Sequence, residues 1–276
     1  MNDLLQVARL AARDAVAVHR EHLGRVAVEQ WSEKGTADFV SHVDRAAEAV
    51  IVERLRRAFP DHRVLAEEAA SERAGASGLT NGGAGWMWII DPLDGTTNYL
   101  HGYPAYAVSI GAAHGGRMQV AVVIHGATGE EWTAVRGGGA FLNGTRINVS
   151  TIDTLAHALI GTGFPFKALH VLSDYSRQLE AALRSTAGVR RAGSAALDLC
   201  HVATGYFDGF WELSLAPWDV AAGSLMVTEA GGVITRLDGD REVVGDGSIL
   251  AGNAAIHAAL GSLLRAATGA GRLHVG

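Results

Sequence analysis

The sequence predicts a mixed α/β fold, with two helices and then a run of short strands in the first half and alternating strands and helices in the second. Three observations carry this. A chain of 276 residues that is 48% hydrophobic and 19% charged buries a substantial core, as one large domain or two intimately packed halves. Helical patterns over the first 22 residues and again over 43–58 are followed by β-like runs, several flanked by glycine-rich turns. Beyond residue 150 strands alternate with helices, which argues a layered α/β arrangement over 151–276 beside an α+β arrangement over 1–150.

Leu4, Leu5, Val7, Ala8, Leu10, Ala11, Ala15 and Val18 recur near a period of 3.6, which describes an amphipathic first helix ending around His22. His19 and His22 lie three apart on it, but no carboxylate partner is evident nearby, so both are read as part of a solvated face. A second helix is expected over 43–58, stopped by Pro60. Strands are expected over 63–66, 86–90, 106–112, 119–124 and 131–135. The stretch AASERAGASGLTNGGAG over 69–85 is small, polar and glycine-rich, and reads as an exposed flexible loop. In the second half, strands over 158–161, 209–212, 232–235 and 249–251 alternate with helices over 172–185, 194–205, 218–230 and 254–267.

Composition narrows the function classes. The net charge is only -6 and the basic residues are scattered, so there is no electrostatic footprint for nucleic acid and no such partner is expected. Cys200 is the only cysteine. It excludes an intrachain disulfide or a cysteine-based zinc cluster, fits a reduced cytoplasmic compartment, and is itself read as buried packing. Asp3, Arg9, Arg13, Asp14 and Arg20 interrupt the first 23 residues, which therefore lack the apolar run of a signal peptide or membrane span. A soluble cytoplasmic protein with no membrane partner is the expectation. There is no GxxxxGK[ST] loop, GxSxG elbow or HExxH helix, and GTGFPF from Gly161 lacks the third glycine of a dinucleotide fingerprint.

The most informative stretch is WMWIIDPLDGTTNYLHG, where an apolar strand runs directly into Asp91, Pro92, Leu93, Asp94, Gly95, Thr96 and Thr97. Pro92 fixes its own φ and biases Asp91 away from the helical region, so the chain turns and aims Asp91 and Asp94 into one space. Two close carboxylates repel each other unless one stays protonated or a cation sits between them. An oxygen-only donor set favours Mg²⁺, with Mn²⁺ or Ca²⁺ as alternatives. Gly95, Thr96 and Thr97 open a helical turn whose backbone N–H groups suit a phosphate. The bland reading is that DP and DG merely form turns. Glu67 and Glu68 end another apolar strand, and Asp219 starts a small-residue helix in PWDVAAG. Taken singly, Asp219 is a helix N-terminal charge and Asp44, in DFVSHVDRAAE, a solvated helical carboxylate. Strand alternation lets only one of Glu67 and Glu68 enter a metal site.

These motifs, in this order, resemble the inositol monophosphatase family: the Glu67 and Glu68 pair, DPLDGTTNYLHGYPAYAVSIG from Asp91, and PWDVAAG from Pro217. GTADFVSHVD from Gly35 and AGSAALDLCHVATGYFDGFWE from Ala192 also match, and the likeness covers most of residues 1–265. The resemblance implies a five-layered α-β-α-β-α sandwich of the sugar phosphatase type. Its first half would carry most metal ligands and its second half would complete the active site.

It further implies that Glu67, Asp91, Asp94, Asp219 and the carbonyl of Leu93 hold two or three Mg²⁺ ions, with pairs roughly 4 Å apart in a two-metal template. Glu67 and Thr96 would orient the attacking water, and Asp44 would hydrogen-bond the Thr96 hydroxyl so that the pair relays a proton. Gly95 and Thr96 N–H groups would bind phosphate, and Lys34 would approach the weakest metal. Asp94, Ala195 and Glu212 would meet polyol hydroxyls, Gly193 and Ser194 would line the same wall, and Asp219 borders it. Expected with these are a small phosphomonoester substrate, most simply myo-inositol 1-phosphate, a homodimer and lithium sensitivity.

Sister branches remain open, among them histidinol phosphatases, bisphosphate nucleotidases and fructose bisphosphatases, although TTNYLHGYP tilts toward the inositol branch. The glycine-rich stretch over 69–85 departs from the shorter connection of the family. A rival of another class is a regulatory binding protein that keeps the fold, such as a partner of the transcription machinery.

Overall fold

The computed structural model describes residues 1–35, 38–71, 85–245 and 247–268. Helix α1 (Asn2–His22) buries a stripe of Leu4, Ala8, Ala11, Ala12, Ala15 and Val16. Those small side chains let α2 (His42–Ala58) pack closely beside it. Ser41 caps α2 by accepting the Val43 N–H at 3.1 Å, while Asp44 accepts the Ser41 N–H at 2.8 Å. Strands β1 (Ser32–Gly35) and β2 (Asp38–Val40) form a short antiparallel ribbon between the two helices.

A seven-stranded sheet runs in chain order through β3 (Arg63–Ala66), β4 (Trp86–Asp94), β5 (Ala107–His114), β6 (Arg117–His125), β7 (Glu131–Val135), β8 (Gly139–Leu142) and β9 (Thr145–Ile147). Only β3 and β4 pair in parallel. Short helices α3 (Glu67–Ser71) and α4 (Thr96–Leu100) follow β3 and β4. The second sheet draws on β10 (Leu159–Thr162), β11 (Gly188–Arg190), β12 (Gly209–Leu215), β13 (Val233–Thr235) and β14 (Gly247–Gly252), in the order β11-β10-β12-β14-β13. Its helices are α5 (Leu172–Ser185), α6 (Ala195–Thr204), α7 (Pro217–Glu229) and α8 (Ala254–Thr268).

Both faces of the large sheet are covered, so its central strands read as continuous apolar runs. Trp88, Ile90, Val108, Ile110, Val120 and Val122 face α1 and α2, while Met87, Ile89, Ala107, Ala121 and Val123 face the cluster built on α6 and α7. Helices α6 and α7 lie between the sheets, and Leu199 of α6 packs directly on Gly223 of α7. Helices α5 and α8 close the far side over Tyr175, Trp211, Leu250, Ile256 and Leu260. The layers are therefore α1/α2, sheet, α6/α7, sheet and α5/α8, a five-layered α-β-α-β-α sandwich.

Several sequence readings shift. Strand β4 does not stop at Ile90 but runs on to Asp94, with its register broken between Asp91 and Asp94 where Pro92 has no N–H to offer. Glu67 and Glu68 open α3 rather than ending a strand, so strand alternation does not separate them. Residues 69–71 end that helix, and the remainder of the stretch read as a flexible loop, 72–84, lies outside the described residues. Strands β8, β9 and β11, three or four residues each, are not among the expected strands. Cys200 is fully buried, as packing requires. Among the described residues no helix is long and apolar enough to cross a membrane.

Candidate active site

A cavity of about 410 Å³ opens where the C-terminal ends of β3 and β4 meet the N-termini of α6 and α7. Glu67, Asp91, Leu93, Asp94, Gly95, Thr96, Gly193, Ala195, Glu212 and Asp219 all line it, although they come from widely separated parts of the chain. Each carboxylate is placed by a local reason. Asp91 ends the apolar run of β4 and folds back to accept the Leu93 N–H at 3.0 Å. Asp94 reaches across to α6, where its Oδ2 accepts the Ser194 hydroxyl at 2.6 Å and the Ala196 N–H at 2.8 Å. Both donors belong to the start of α6, so a carboxylate docks on a helix N-terminus. Asp219 accepts the Ala216 N–H at 2.7 Å and is thus a cap for α7 and a cavity wall at once.

Burial and mutual repulsion govern the electrostatics. Burial first, and then the charges of Glu67, Asp94 and Asp219, hold Asp91 well above the usual carboxylate range. Burial lifts Asp94 to about 6 against the opposing Ser194 and Ala196 bonds. Burial, then Asp94 and Glu67, lift Asp219 to about 8. Such a cluster is relieved either by protons or by a divalent cation, and its hard oxygen donors suit Mg²⁺. Among the described residues no three such side chains already form a tight ligand cage, and Asp91, Asp94 and Asp219 each keep one carboxylate oxygen outside the bonds to Leu93, Ser194, Ala196 and Ala216.

Next to the carboxylates, Gly95 adopts φ +87° and leads into α4; a Cβ there would lie 2.7 Å from the Ala105 carbonyl, so the turn needs glycine. The Thr96 hydroxyl is 2.9 Å from Asp44 Oδ1 and 3.0 Å from the Leu93 carbonyl. Asp44 is therefore not a solvated helical carboxylate: it is buried, its Oδ2 accepts from the Ser41 amide and hydroxyl, and it meets the cavity only through Thr96. Burial raises its titration point against those bonds. Ser194 likewise sits behind the wall rather than on it, 1% exposed, with its hydroxyl committed to Asp94. Lys34 falls on β1, and its side chain lies outside the described residues.

Four supporting residues escaped the sequence reading. His19, taken as solvated, is fully buried, and its Nε2 donates to the Pro92 carbonyl at 3.0 Å. Tyr99 of α4 donates to the His19 carbonyl at 2.8 Å, so α1 grips the 91–99 segment from both ends. Burial lowers His19 to about 4, which keeps it neutral. Asn98 donates to the Ala105 carbonyl and, 94 residues away, to that of Ala192 at 2.9 Å. Gly163, noticed only as part of a failed nucleotide motif, lies against the Glu212 carboxylate, so close that any side chain there would overlap it.

Comparison with known proteins agrees with this geometry. The profile of the inositol monophosphatase family matches residues 1–268. Nus factor SuhB of Pseudomonas aeruginosa is 45% identical over 255 residues, covering 92% of each chain. Among solved structures, the extragenic suppressor protein SuhB of Bartonella henselae superposes with a TM-score of 0.87 at 39% identity, covering 95% of this chain and 98% of that one. The inositol monophosphatase of Anabaena gives 0.81 at 39% identity, covering 96% of both. By sequence, fold and the order of its motifs, the chain belongs to the inositol monophosphatase family.

Proposed function

We propose that this chain is a Mg²⁺-dependent phosphatase that hydrolyses a small polyol phosphomonoester, with myo-inositol 1-phosphate as the simplest substrate. The observation that carries the reading is the convergence of Glu67, Asp91, Asp94 and Asp219 on one cavity beside the Gly95–Thr96 turn. In this account those carboxylates and the Leu93 carbonyl hold two or three Mg²⁺ ions. When bound, the ions supply charge for the phosphate, acidify a water and neutralise the leaving alkoxide.

The protein supplies position and proton handling. The single Thr96 hydroxyl proton lies between Asp44 and the Leu93 carbonyl, which leaves an Oγ1 lone pair to accept from a water that Glu67 also orients. Asp44 then stands one bond behind as the relay. The N–H groups of Gly95 and Thr96 receive phosphate oxygens. Glu212, beside Ala195 and Gly193, accepts vicinal hydroxyls of the polyol. By the family resemblance, the same reading includes a homodimer and sensitivity to lithium.

The experiment is phosphate release with Mg²⁺ from myo-inositol 1-phosphate, histidinol phosphate, fructose 1,6-bisphosphate and adenosine 3′,5′-bisphosphate side by side. Preference for the inositol ester supports the full reading; preference for another keeps the chemistry and moves the chain to a sister branch. A second role has its own observation: similar proteins carry the name Nus factor. That name leaves the expectation of no nucleic-acid contact without support and favours docking to the transcription machinery beside catalysis. Pull-down with and without Mg²⁺ tests whether such docking uses the metal site.

A further inference from the structure

We propose that Glu48 is a positioning residue for the Glu67 end of the metal site: from α2 it fixes the turn on which Glu67 sits. The inference deepens the Mg²⁺-dependent phosphatase reading and rests on it. Glu67 opens α3, a helix of five residues that follows β3 directly. The N–H groups of its second and third residues have no partner within the helix. An acceptor for them ordinarily comes from the residue before the helix, here Ala66, which has no side-chain oxygen to give. Glu48 supplies it from another element. Its Oε2 accepts the Glu68 N–H at 2.8 Å and its Oε1 the Ala69 N–H at 3.2 Å. Both oxygens of one carboxylate therefore close over the start of α3, in bonds that the charge strengthens.

The position of that cap matters because of what stands on either side of it. Strand β3 pairs in parallel with β4, with Ala66 opposite Ile90, so Glu67 comes level with Asp91 at the cavity. Sheet pairing holds the chain up to Ala66, and the Glu48 cap takes over immediately beyond Glu67. On α2, Glu48 lies one turn after Asp44, at i and i+4 on one face. Asp44 accepts the Thr96 hydroxyl at 2.9 Å. One helix thus holds both groups assigned to the attacking water, Thr96 through its hydroxyl and Glu67 through the backbone beside it. The helix is a firm support, since its Ala47, Ile51 and Leu55 are buried in the core against the large sheet. Glu48 itself is half-buried and is not among the described residues that line the cavity, so it reaches a bound ion only through Glu67. Partners of this kind set the orientation of a metal-binding carboxylate and with it the affinity for the metal.

The test measures Mg²⁺ binding by calorimetry, and phosphate release from myo-inositol 1-phosphate as Mg²⁺ is titrated, in the full chain as wild type, Glu48→Ala, Glu48→Gln and Arg54→Ala. Arg54 pairs with Asp14 of α1 from the same helix, so its loss loosens α2 without touching α3. Glu48→Ala should weaken Mg²⁺ about 10- to 100-fold in both measurements and lower kcat, while KM for the ester at saturating Mg²⁺ stays within about twofold. Glu48→Gln keeps one acceptor oxygen but turns a donor toward the other N–H, and should recover part of the loss. Arg54→Ala should bind Mg²⁺ as wild type does. If Glu48→Ala melts earlier yet binds Mg²⁺ normally, or if Arg54→Ala weakens Mg²⁺ as much, the cap is structural only and the proposal is refuted. Should Glu48→Ala fail to fold, Glu48→Gln decides: Mg²⁺ weakened at least about threefold, the loss of one hydrogen bond, upholds the role and unchanged binding overturns it. If wild type binds Mg²⁺ but releases no phosphate, the phosphatase reading fails and the calorimetric ratio still decides on Glu48. Wild type that binds no Mg²⁺ overturns both.

Discussion

Replacing Gly163 by alanine tests how the polyol end of the cavity is built. Gly163 follows β10, and a methyl group placed on its Cα falls 1.9 Å from Glu212 Cδ and 2.0 and 2.2 Å from the two carboxylate oxygens. Carbon contacts settle near 3.5 Å, so the carboxylate must retreat by about 1.5 Å. The retreating atoms are the end of a flexible side chain, which leaves the β10 and β12 backbones in place. A hydrogen bond stretched that far is lost. Losing one or two bonds from a polyol to this carboxylate costs about 1–3 kcal/mol, or about 5- to 150-fold in kcat/KM. The assay is steady-state kinetics of Gly163→Ala on myo-inositol 1-phosphate and on p-nitrophenyl phosphate, which has no polyol to hold. The inositol ester should lose by that factor while the nitrophenyl ester stays within about twofold and the melting temperature is unchanged. An equal fall on both esters, or none on the inositol ester, would refute the assignment of Glu212 to the polyol.

Other predictions follow from the same geometry. Asp94→Asn keeps an acceptor for Ser194 or Ala196 and should fold normally, yet lose at least about a thousandfold in turnover by removing a charge from the metal site; near-normal activity would contradict that placement. Asp94 and Asp219 titrate near 6 and 8, above the ordinary value, chiefly through burial. A carboxyl raised in the folded state binds more protons there than in the unfolded chain, so its contribution to stability is present at low pH and lost as pH rises. In EDTA the melting temperature should therefore fall as pH rises from about 5 to 8.5, less steeply in Asp219→Asn, and Mg²⁺ should protect most at the upper end. A fall of equal slope in the variant would show that Asp219 is not the group responsible. His19→Leu strands the buried Pro92 carbonyl at a cost of about 1–3 kcal/mol. It should lower the melting temperature by several degrees, with His19→Gln recovering part, and an unchanged melt would show that the bond contributes nothing.

What the sequence made legible was local. Asp91 to Thr97 announced itself because proline, glycine and two carboxylates sit within seven residues at the end of an apolar strand. Asp219 was visible for the same reason, as an acid at a helix start following proline. The fold could be read in outline because the long helices and the central strands carry full periods, whereas β9 and β11, three residues each and at sheet edges, lack the apolar run that marked the equally short β13. The missed residues act at long range. His19 meets Pro92 across 73 positions and Asn98 meets Ala192 across 94, and no local pattern encodes either contact. Asp44 differs from these: its amphipathic helix alone suggested a surface acid, whereas the family resemblance pointed to the hydrogen bond it makes with Thr96, 52 residues away. Gly163 left no distinguishing signal in a chain with 35 glycines, since the reason for it is the side chain of another strand.

The most direct test of the central claim is phosphate release from myo-inositol 1-phosphate as Mg²⁺ is titrated into protein stripped with EDTA. The account predicts no release in EDTA and a saturable rise with added Mg²⁺. Release that persists undiminished in EDTA, or none at saturating Mg²⁺ from folded protein, would contradict it.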